Sequence, residues 1–191
     1  MEVNFEELIQ RSNHIGNYIS GEIAQLSEGV INSKESEDKW SILEVLSHLN
    51  QVYERYAPNF DKALKDARPL TNETDSRRQT TLMGRLSIYS MKPKGKSRKF
   101  KMKTFRFFEP ISSSNLPDET ISRYLKNKEN FTERIKKARL LDIKNIKVPT
   151  ALGKSVKFYL PECFDFILSH EERHMVQIEG ILEKIGQTSE V

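Results

Sequence analysis

Apolar residues recur every three or four positions over four long stretches of the chain, a spacing that places them on one face of an α-helix. Residues 5–30 carry the first stripe and residues 40–66 the second. Residues 117–140 and 158–185 carry the third and the fourth. The pattern therefore predicts four amphipathic helices, numbered one to four along the chain.

Local signals mark the ends of these helices. Asp38 or Ser41 is suited to cap the second helix. Pro117, followed by two acidic residues, suits the start of the third helix, and Gly186 is expected to end the fourth.

Residues 67–116 do not continue the helical pattern. Gly84, Pro93, Gly95 and Pro110 would interrupt any long helix there. Apolar residues alternate within residues 100–108, which indicates short extended structure. A connection of this length without structure of its own is unusual, so we expect it to be partly ordered over the helices. The fold class predicted is all-α: one domain, residues 1–191, forming a four-helix bundle with a long crossover between helices two and three.

Composition agrees with one globular domain, since 30% of the residues are charged and 37% are hydrophobic. No apolar run approaches the ~20 residues needed to span a bilayer. Met1 is not followed by a basic and then apolar leader, so a cytoplasmic location is expected. The single cysteine, Cys163, excludes an internal disulfide and fits a reducing compartment.

Positive charge is concentrated in the crossover. No acidic residue lies between Asp75 and Glu109, and the basic segment 77–106 contains all of the following: Arg77, Arg78, Arg85, Lys92, Lys94, Lys96, Arg98, Lys99, Lys101, Lys103 and Arg106. Such a segment can attract nucleic acid, an anionic membrane surface or an acidic substrate, and it can also be an ordinary solvated loop.

Two polar residues interrupt the apolar stripe of the fourth helix. With Ile167 as the reference and ~100° per residue, His174 falls ~20° and Glu171 ~40° from the centre of the stripe. His170 precedes His174 by one turn on the same side, and imidazoles four residues apart can reach one metal ion. Because buried polar groups need partners, this turn is a candidate metal site.

A third ligand is expected from a facing helix. His48 lies at the margin of the apolar stripe of the second helix, whereas His14 lies on the polar face of the first. His48, His170 and His174 are therefore the predicted metal ligands.

The sequence His170-Glu171-Glu172-Arg173-His174 also matches the H-E-x-x-H pattern of zinc peptidases. A peptidase site of that kind needs a third protein ligand, normally downstream, and no histidine follows His174. The peptidase interpretation is therefore not favoured.

The stretches KWSILEVLSHL at 39–49 and LSHEERHMVQIEGIL at 168–182, with the glycine-containing approach at Gly153, resemble the DinB/YfiT-like superfamily of four-helix-bundle metalloproteins. The resemblance covers the layout of the whole chain. It implies an up-down-down-up bundle, a divalent ion, zinc or nickel, bound by His48, His170 and His174, and frequent homodimers.

The resemblance further implies an enzyme that acts on a small molecule. Relatives include transferases and isomerases that use a low-molecular-weight thiol, and proteins described as metal-dependent hydrolases. In the hydrolase version Glu171 is the candidate catalytic base, with Glu44 as a second candidate; Glu171 could instead orient a ligand or pair within the core. Cys163 is interpreted as a packed small hydrophobe, and Trp40 as a staple at the start of the second helix in preference to a substrate platform.

A non-enzymatic interpretation stays open beside this one. In it, the bundle keeps a structural metal, and the basic segment 77–106 binds nucleic acid through phosphate contacts and stacking on its phenylalanines.

Overall fold

The computed structural model describes residues 3–70, 80–95, 108–110, 116, 119–151 and 153–188. This part of the chain is mostly helical, with two small antiparallel sheets. The helices are α1 Phe5–Gly21, α2 Glu28–Asn32, α3 Ile42–Asp66, α4 Leu82–Met91, α5 Thr120–Arg139 and α6 Leu160–Thr188, with a short 3-10 turn at Ile23–Gln25. The strands are β1 Arg68–Pro69, β2 Leu141–Asp142, β3 Lys147–Thr150 and β4 Gly153–Tyr159.

The start of α3 is fixed by a capping box. The Ser41 side chain accepts a hydrogen bond from the Glu44 backbone N–H at 3.2 Å, and the Ser41 N–H donates to Glu44 Oε2 at 2.9 Å. The backbone donors of Ser41 and Glu44 are thereby satisfied. The cap predicted at Ser41 is confirmed, and so is the second predicted helix.

The first predicted helix is shorter than its apolar stripe. It ends at Gly21, which has a low helix propensity, and the chain continues through the 3-10 turn to α2. Ile23 is nevertheless fully buried. The prediction of one helix over residues 5–30 is therefore wrong, because buried apolar residues can keep their spacing through a tighter turn.

Side-chain contacts give the relative directions of α3 and α5. Asn50 donates to the Thr120 carbonyl near the start of α5, and Arg134 near its end forms an ion pair with Asp61 at 2.7 Å. The residue numbers rise together, so α3 and α5 are parallel. The short pairing of β1 with β2 joins the ends of the same two helices.

Two further helix contacts, of α1 with α5 and of α3 with α6, are antiparallel. Ser12 and Thr132 share a buried hydrogen bond of 2.8 Å between α1 and α5, whereas Glu6 at the start of α1 pairs with Arg139 at the end of α5. Between α3 and α6, His48 lies beside His170, and Phe60 packs on Phe164 further along α3. Helices α1, α5, α3 and α6 thus contact one another in sequence, and α6 also contacts α1.

A β-hairpin precedes α6. Strands β3 and β4 pair in antiparallel register with Val148 opposite Phe158, and both of these residues are buried. Gly153 has φ of 137°, a backbone conformation that favours glycine, and it follows the turn between the strands. The all-α prediction is corrected here: Ser155, Val156, Lys157 and Phe158 alternate between polar and apolar, a strand signal that the helical interpretation does not include.

The crossover is partly ordered, as expected. Its helix α4 packs on α6 and ends before Pro93. The extended structure predicted for residues 100–108 lies outside the described residues except for Phe108, which is buried.

The stop predicted at Gly186 is wrong, since α6 continues to Thr188. Among the described residues, no helix combines the length and hydrophobicity required to cross a bilayer.

Candidate metal centre

Three histidines from two helices meet at one point. His48 Nε2 of α3 lies 3.4 Å from His170 Nε2 of α6, and His174 Nε2 lies 3.2 Å from the same atom. One ligand atom from each imidazole lies within 4.8 Å of the other two. His48 and His174 are buried and His170 is partly exposed. The structure therefore brings together the three residues predicted from sequence.

Hydrogen bonds at the outer nitrogens orient two of the imidazoles. His48 Nδ1 donates to the Phe108 carbonyl at 2.6 Å, and His174 Nδ1 donates to Gln177 Oε1 at 3.2 Å. Because both acceptors require a proton on Nδ1, the Nε2 atoms of these two rings carry lone pairs that face His170. Metal-ligating histidines have this arrangement, with the non-ligating nitrogen bound to a carbonyl.

The three imidazoles are held in the neutral form. Burial lowers the pKa of His48, an effect that the Phe108 carbonyl partly offsets. Burial, then His48 and the Arg173 guanidinium, lower the pKa of His170 to about 3. Burial, then His170 and His48, lower the pKa of His174 well below its ordinary value. Neutral imidazole is the form that binds a metal ion.

Two of the three nitrogen separations fit a tetrahedral ion. Ligands at the ~2.0–2.1 Å typical of zinc and histidine nitrogen stand roughly 3.3–3.4 Å apart around a tetrahedron. The two separations that meet at His170 Nε2 are 3.2 and 3.4 Å. These two nitrogen pairs match the spacing of ligands on one ion, and the ligand atoms of His48 and His174 lie within 4.8 Å of each other.

Two aromatic rings border the histidines. The Trp40 ring lies 5.1 Å from the His48 ring, centroid to centroid, and stacks on His174 at 6.1 Å. Phe108 packs edge-on against His48 at 6.0 Å. The sequence favours a helix staple over a substrate platform for Trp40, and it predicts neither the Phe108 ring nor its carbonyl at this site. The contacts of Trp40 with His174 and of Phe108 with His48 span long sequence separations, so no local pattern indicates them.

Glu171 lies in the core beside the site. The Tyr53 hydroxyl donates to its Oε1 at 2.6 Å, the Tyr124 hydroxyl donates to the same oxygen, and Lys128 Nζ lies 2.5 Å from its Oε2. Burial is the main cause, and the Glu171 carboxylate the second, that raises the pKa of each tyrosine well above the ordinary tyrosine value. Both phenols therefore remain hydrogen-bond donors. The catalytic role of Glu171 stays a prediction. The contacts of Glu171 are those of a residue that is paired within the core.

The remaining candidates lie elsewhere. Glu44 is engaged in the capping box and in an ion pair with Lys34 at 2.7 Å. Cys163 is buried near the Val148 carbonyl, which confirms it as a packed residue. His14 is exposed on α1, as its position on the polar face predicts.

The sequence matches no family model, and neither a curated protein nor a solved structure shows significant similarity to the chain. Evidence for function therefore comes from the histidines, their hydrogen bonds and the side chains around them.

Proposed function

We propose that the protein is a metal-dependent enzyme in which His48, His170 and His174 bind one divalent ion, Zn²⁺ or Ni²⁺. The observation that carries the proposal is the convergence of three Nε2 atoms, with separations of 3.2 and 3.4 Å at His170. The Nδ1 hydrogen bonds of His48 and His174 direct lone pairs inward. The lone pairs of His48 and His174 meet at His170 Nε2, where a divalent ion would bind all three nitrogens, whereas a single N–H of His170 could serve the two acceptors only as a shared hydrogen bond.

The same proposal assigns α1, α3, α5 and α6 to a four-helix bundle of the DinB/YfiT type. It is supported by the helix directions, with α1 antiparallel to α5, α5 parallel to α3, and α3 antiparallel to α6. Because α3 and α5 are parallel, the chain must return along the bundle between them, and the long crossover that contains α4 makes this connection. Homodimerisation is part of the proposal and is tested by sedimentation of the purified protein.

The reaction we favour is S-transfer from a low-molecular-weight thiol to a small molecule. When bound, the ion would acidify a thiol or a water at its open position. Hydrolysis draws on a protein base, and both candidate bases, Glu171 and Glu44, are held by hydrogen bonds to other groups. A thiol, with a pKa of about 8.5 against about 15.7 for bulk water, needs less help from a base.

Side chains around the histidines suit an anionic reactant. The Arg173 guanidinium lies close enough to lower the pKa of His170 and His174, so the same positive charge attracts a thiolate or a carboxylate. The rings of Trp40 and Phe108 pack against His48, and Trp40, which is partly exposed, offers an apolar surface to the substrate.

Metal content is the first test. Protein purified without an affinity tag or added metal is expected to contain about one zinc or nickel ion per chain. Inductively coupled plasma mass spectrometry measures the metal content. The His174→Ala variant should lose the ion, and the His14→Ala variant, which removes an exposed histidine, should keep it. If the wild type neither contains nor takes up a divalent ion, the proposal fails.

Activity is tested separately on the loaded protein. A panel of small thiols with an electrophilic acceptor measures S-transfer, and ester and amide substrates measure hydrolysis. We expect thiol consumption that depends on the ion and disappears in His48→Ala. Hydrolysis without any thiol requirement would contradict the choice of reaction while leaving the metal site intact.

A further inference from the structure

Helix α4 presents a second apolar face to the solvent. Leu82, Met83, Leu86 and Tyr89 are 74%, 60%, 61% and 61% exposed, and their spacing places them on one side of the helix. In the part of the chain that the structure describes, the one other large hydrophobic side chain with such exposure is Leu140. We call these four residues the α4 stripe.

The opposite side of α4 is already used for packing. Gly84, Ile88 and Met91 are buried, and the helix packs on α6. A surface helix ordinarily has one apolar and one polar side, so a helix that is apolar on both sides is expected to be covered by a second surface.

The stripe is held outward by specific contacts. The Thr81 side chain caps α4 by accepting from the Gly84 N–H at 2.8 Å, and the Thr81 N–H donates to Glu162 of α6. A Cβ at Gly84 would lie 2.4 Å from Glu162 Oε1, so glycine allows this close approach. Lys92 lies 3.9 Å from Asp165 at the other end of the helix. Both ends of α4 are therefore tied to α6, which fixes the direction in which the stripe faces.

Positive charge accompanies the stripe. Arg85 is exposed on α4 between Leu82 and Tyr89, and Lys94 is exposed just after the helix. In sequence, the interval from Asp75 to Glu109 that contains α4 has eleven basic residues and no acidic one. The occupant of this face must therefore offer an apolar layer with a negatively charged boundary.

We propose that the α4 stripe docks on the surface of an anionic phospholipid membrane. Leucine, methionine and tyrosine side chains insert at the boundary between headgroups and acyl chains, and arginine and lysine interact with anionic headgroups. The 10-residue helix lies in the plane of the interface and does not span the bilayer. This binding is independent of the histidine site.

Two other occupants fit less well. A second copy of the chain, placed face to face on this stripe, would bring Arg85 and Lys94 of both copies together, and like charges repel. Nucleic acid would use the positive charge but would leave the leucine and methionine side chains without stacking partners.

Vesicle sedimentation tests the proposal with the full-length protein. We expect binding to vesicles of phosphatidylcholine mixed with phosphatidylserine, weaker binding as salt increases, and little binding to phosphatidylcholine alone. The double variant Leu86→Ser and Tyr89→Ser should bind about tenfold or more weakly, because it removes two inserting side chains. Leu140→Ser, equally exposed but outside the stripe, is the matched control and should bind like the wild type.

A charge variant keeps the test decisive if the double variant folds poorly. Arg85→Gln should weaken binding to anionic vesicles, and Lys126→Gln, which removes an exposed lysine of α5, should not. Metal content should be the same in all these variants.

Three results would overturn the proposal. One is the absence of binding to anionic vesicles by the wild type. Another is a dimer in analytical ultracentrifugation that Leu86→Ser dissociates, which would assign the stripe to self-association. The third is tight, salt-dependent binding of DNA or RNA that competes with the vesicles.

Discussion

Lys128 Nζ lies 2.5 Å from Glu171 Oε2, and the two side chains are 3% and 1% exposed. This ion pair joins α5 to α6 in the centre of the protein. Tyr53 of α3 donates to the same carboxylate at 2.6 Å. Because Tyr53 follows His48 on α3 and Glu171 is next to His170 on α6, the network ties together the two helices that carry the candidate ligands.

Breaking this pair should strongly destabilise the protein. Glu171→Ala leaves the Lys128 charge buried without its carboxylate, so we expect the free energy of unfolding to fall by about 3–5 kcal/mol. Chemical denaturation followed by circular dichroism measures the change. Replacing both partners, Lys128→Met with Glu171→Leu, should recover only part of the loss, because neither buried charge remains but the Tyr53 and Tyr124 hydroxyls lose their acceptor. The exposed pair of Lys136 and Glu133 is the control, and Lys136→Met should cost less than about 1 kcal/mol.

The conservative variant Glu171→Gln separates a structural role from a catalytic one. If the residue stabilises the core, the variant should lose stability and keep measurable activity at temperatures where it is folded. A loss of activity of about a hundredfold or more with unchanged stability would instead establish Glu171 as a base.

Gln177 should affect metal affinity without binding the metal. Its Oε1 accepts the His174 Nδ1–H at 3.2 Å, and loss of such a contact typically weakens metal binding by about 10–100-fold. Competition with a chromophoric chelator measures this for Gln177→Ala. Gln10→Ala, on the exposed side of α1, should leave the affinity unchanged.

The stability of the metal-free protein should depend on pH through the same histidines. Their pKa values are lowered in the folded state, that of His170 to about 3, whereas histidines of the unfolded chain titrate near about 6.5. Between these pKa values the unfolded state binds more protons than the folded state. The contribution of the histidines to the free energy of unfolding is therefore fully present above about pH 6.5 and is lost as the pH falls toward 3.

Urea denaturation from about pH 8 down to about pH 4 measures this dependence. A variant with glutamine at positions 48, 170 and 174 corrects for the carboxylates, such as Asp61, whose pKa is lowered by its hydrogen bond with Arg134. An equally steep decline in that variant would show that the histidines do not cause it.

Cys163 should be unreactive in the native protein. Burial, and secondarily the Glu162 carboxylate, raise the pKa of its thiol well above its ordinary value, and the thiolate is the reactive form. A chromogenic disulfide reagent at neutral pH should therefore detect no thiol in the folded protein and one thiol per chain in denaturant. Rapid labelling of the native protein would show that the packing between β3 and α6 opens readily.

Local patterns predict much of the helical framework. The predicted ranges overlap α1, α3, α5 and α6, and the wheel for the fourth helix places Glu171 and His174 on its buried side, because a period of 3.6 residues is a property of the backbone alone. The same reasoning selected His170 and His174 as a pair one turn apart and excluded His14.

The sequence by itself determined which side chains face the interior, since helical periodicity depends only on neighbouring residues. Tertiary structure decided which interior groups meet. The Phe108 carbonyl reaches His48 across 60 residues, and Lys128 reaches Glu171 across 43. Such contacts depend on how helices pack and on where the crossover returns, and no short-range pattern contains that information. The same holds for the two apolar sides of α4, because only packing against α6 decides which side is covered and which is left for a partner.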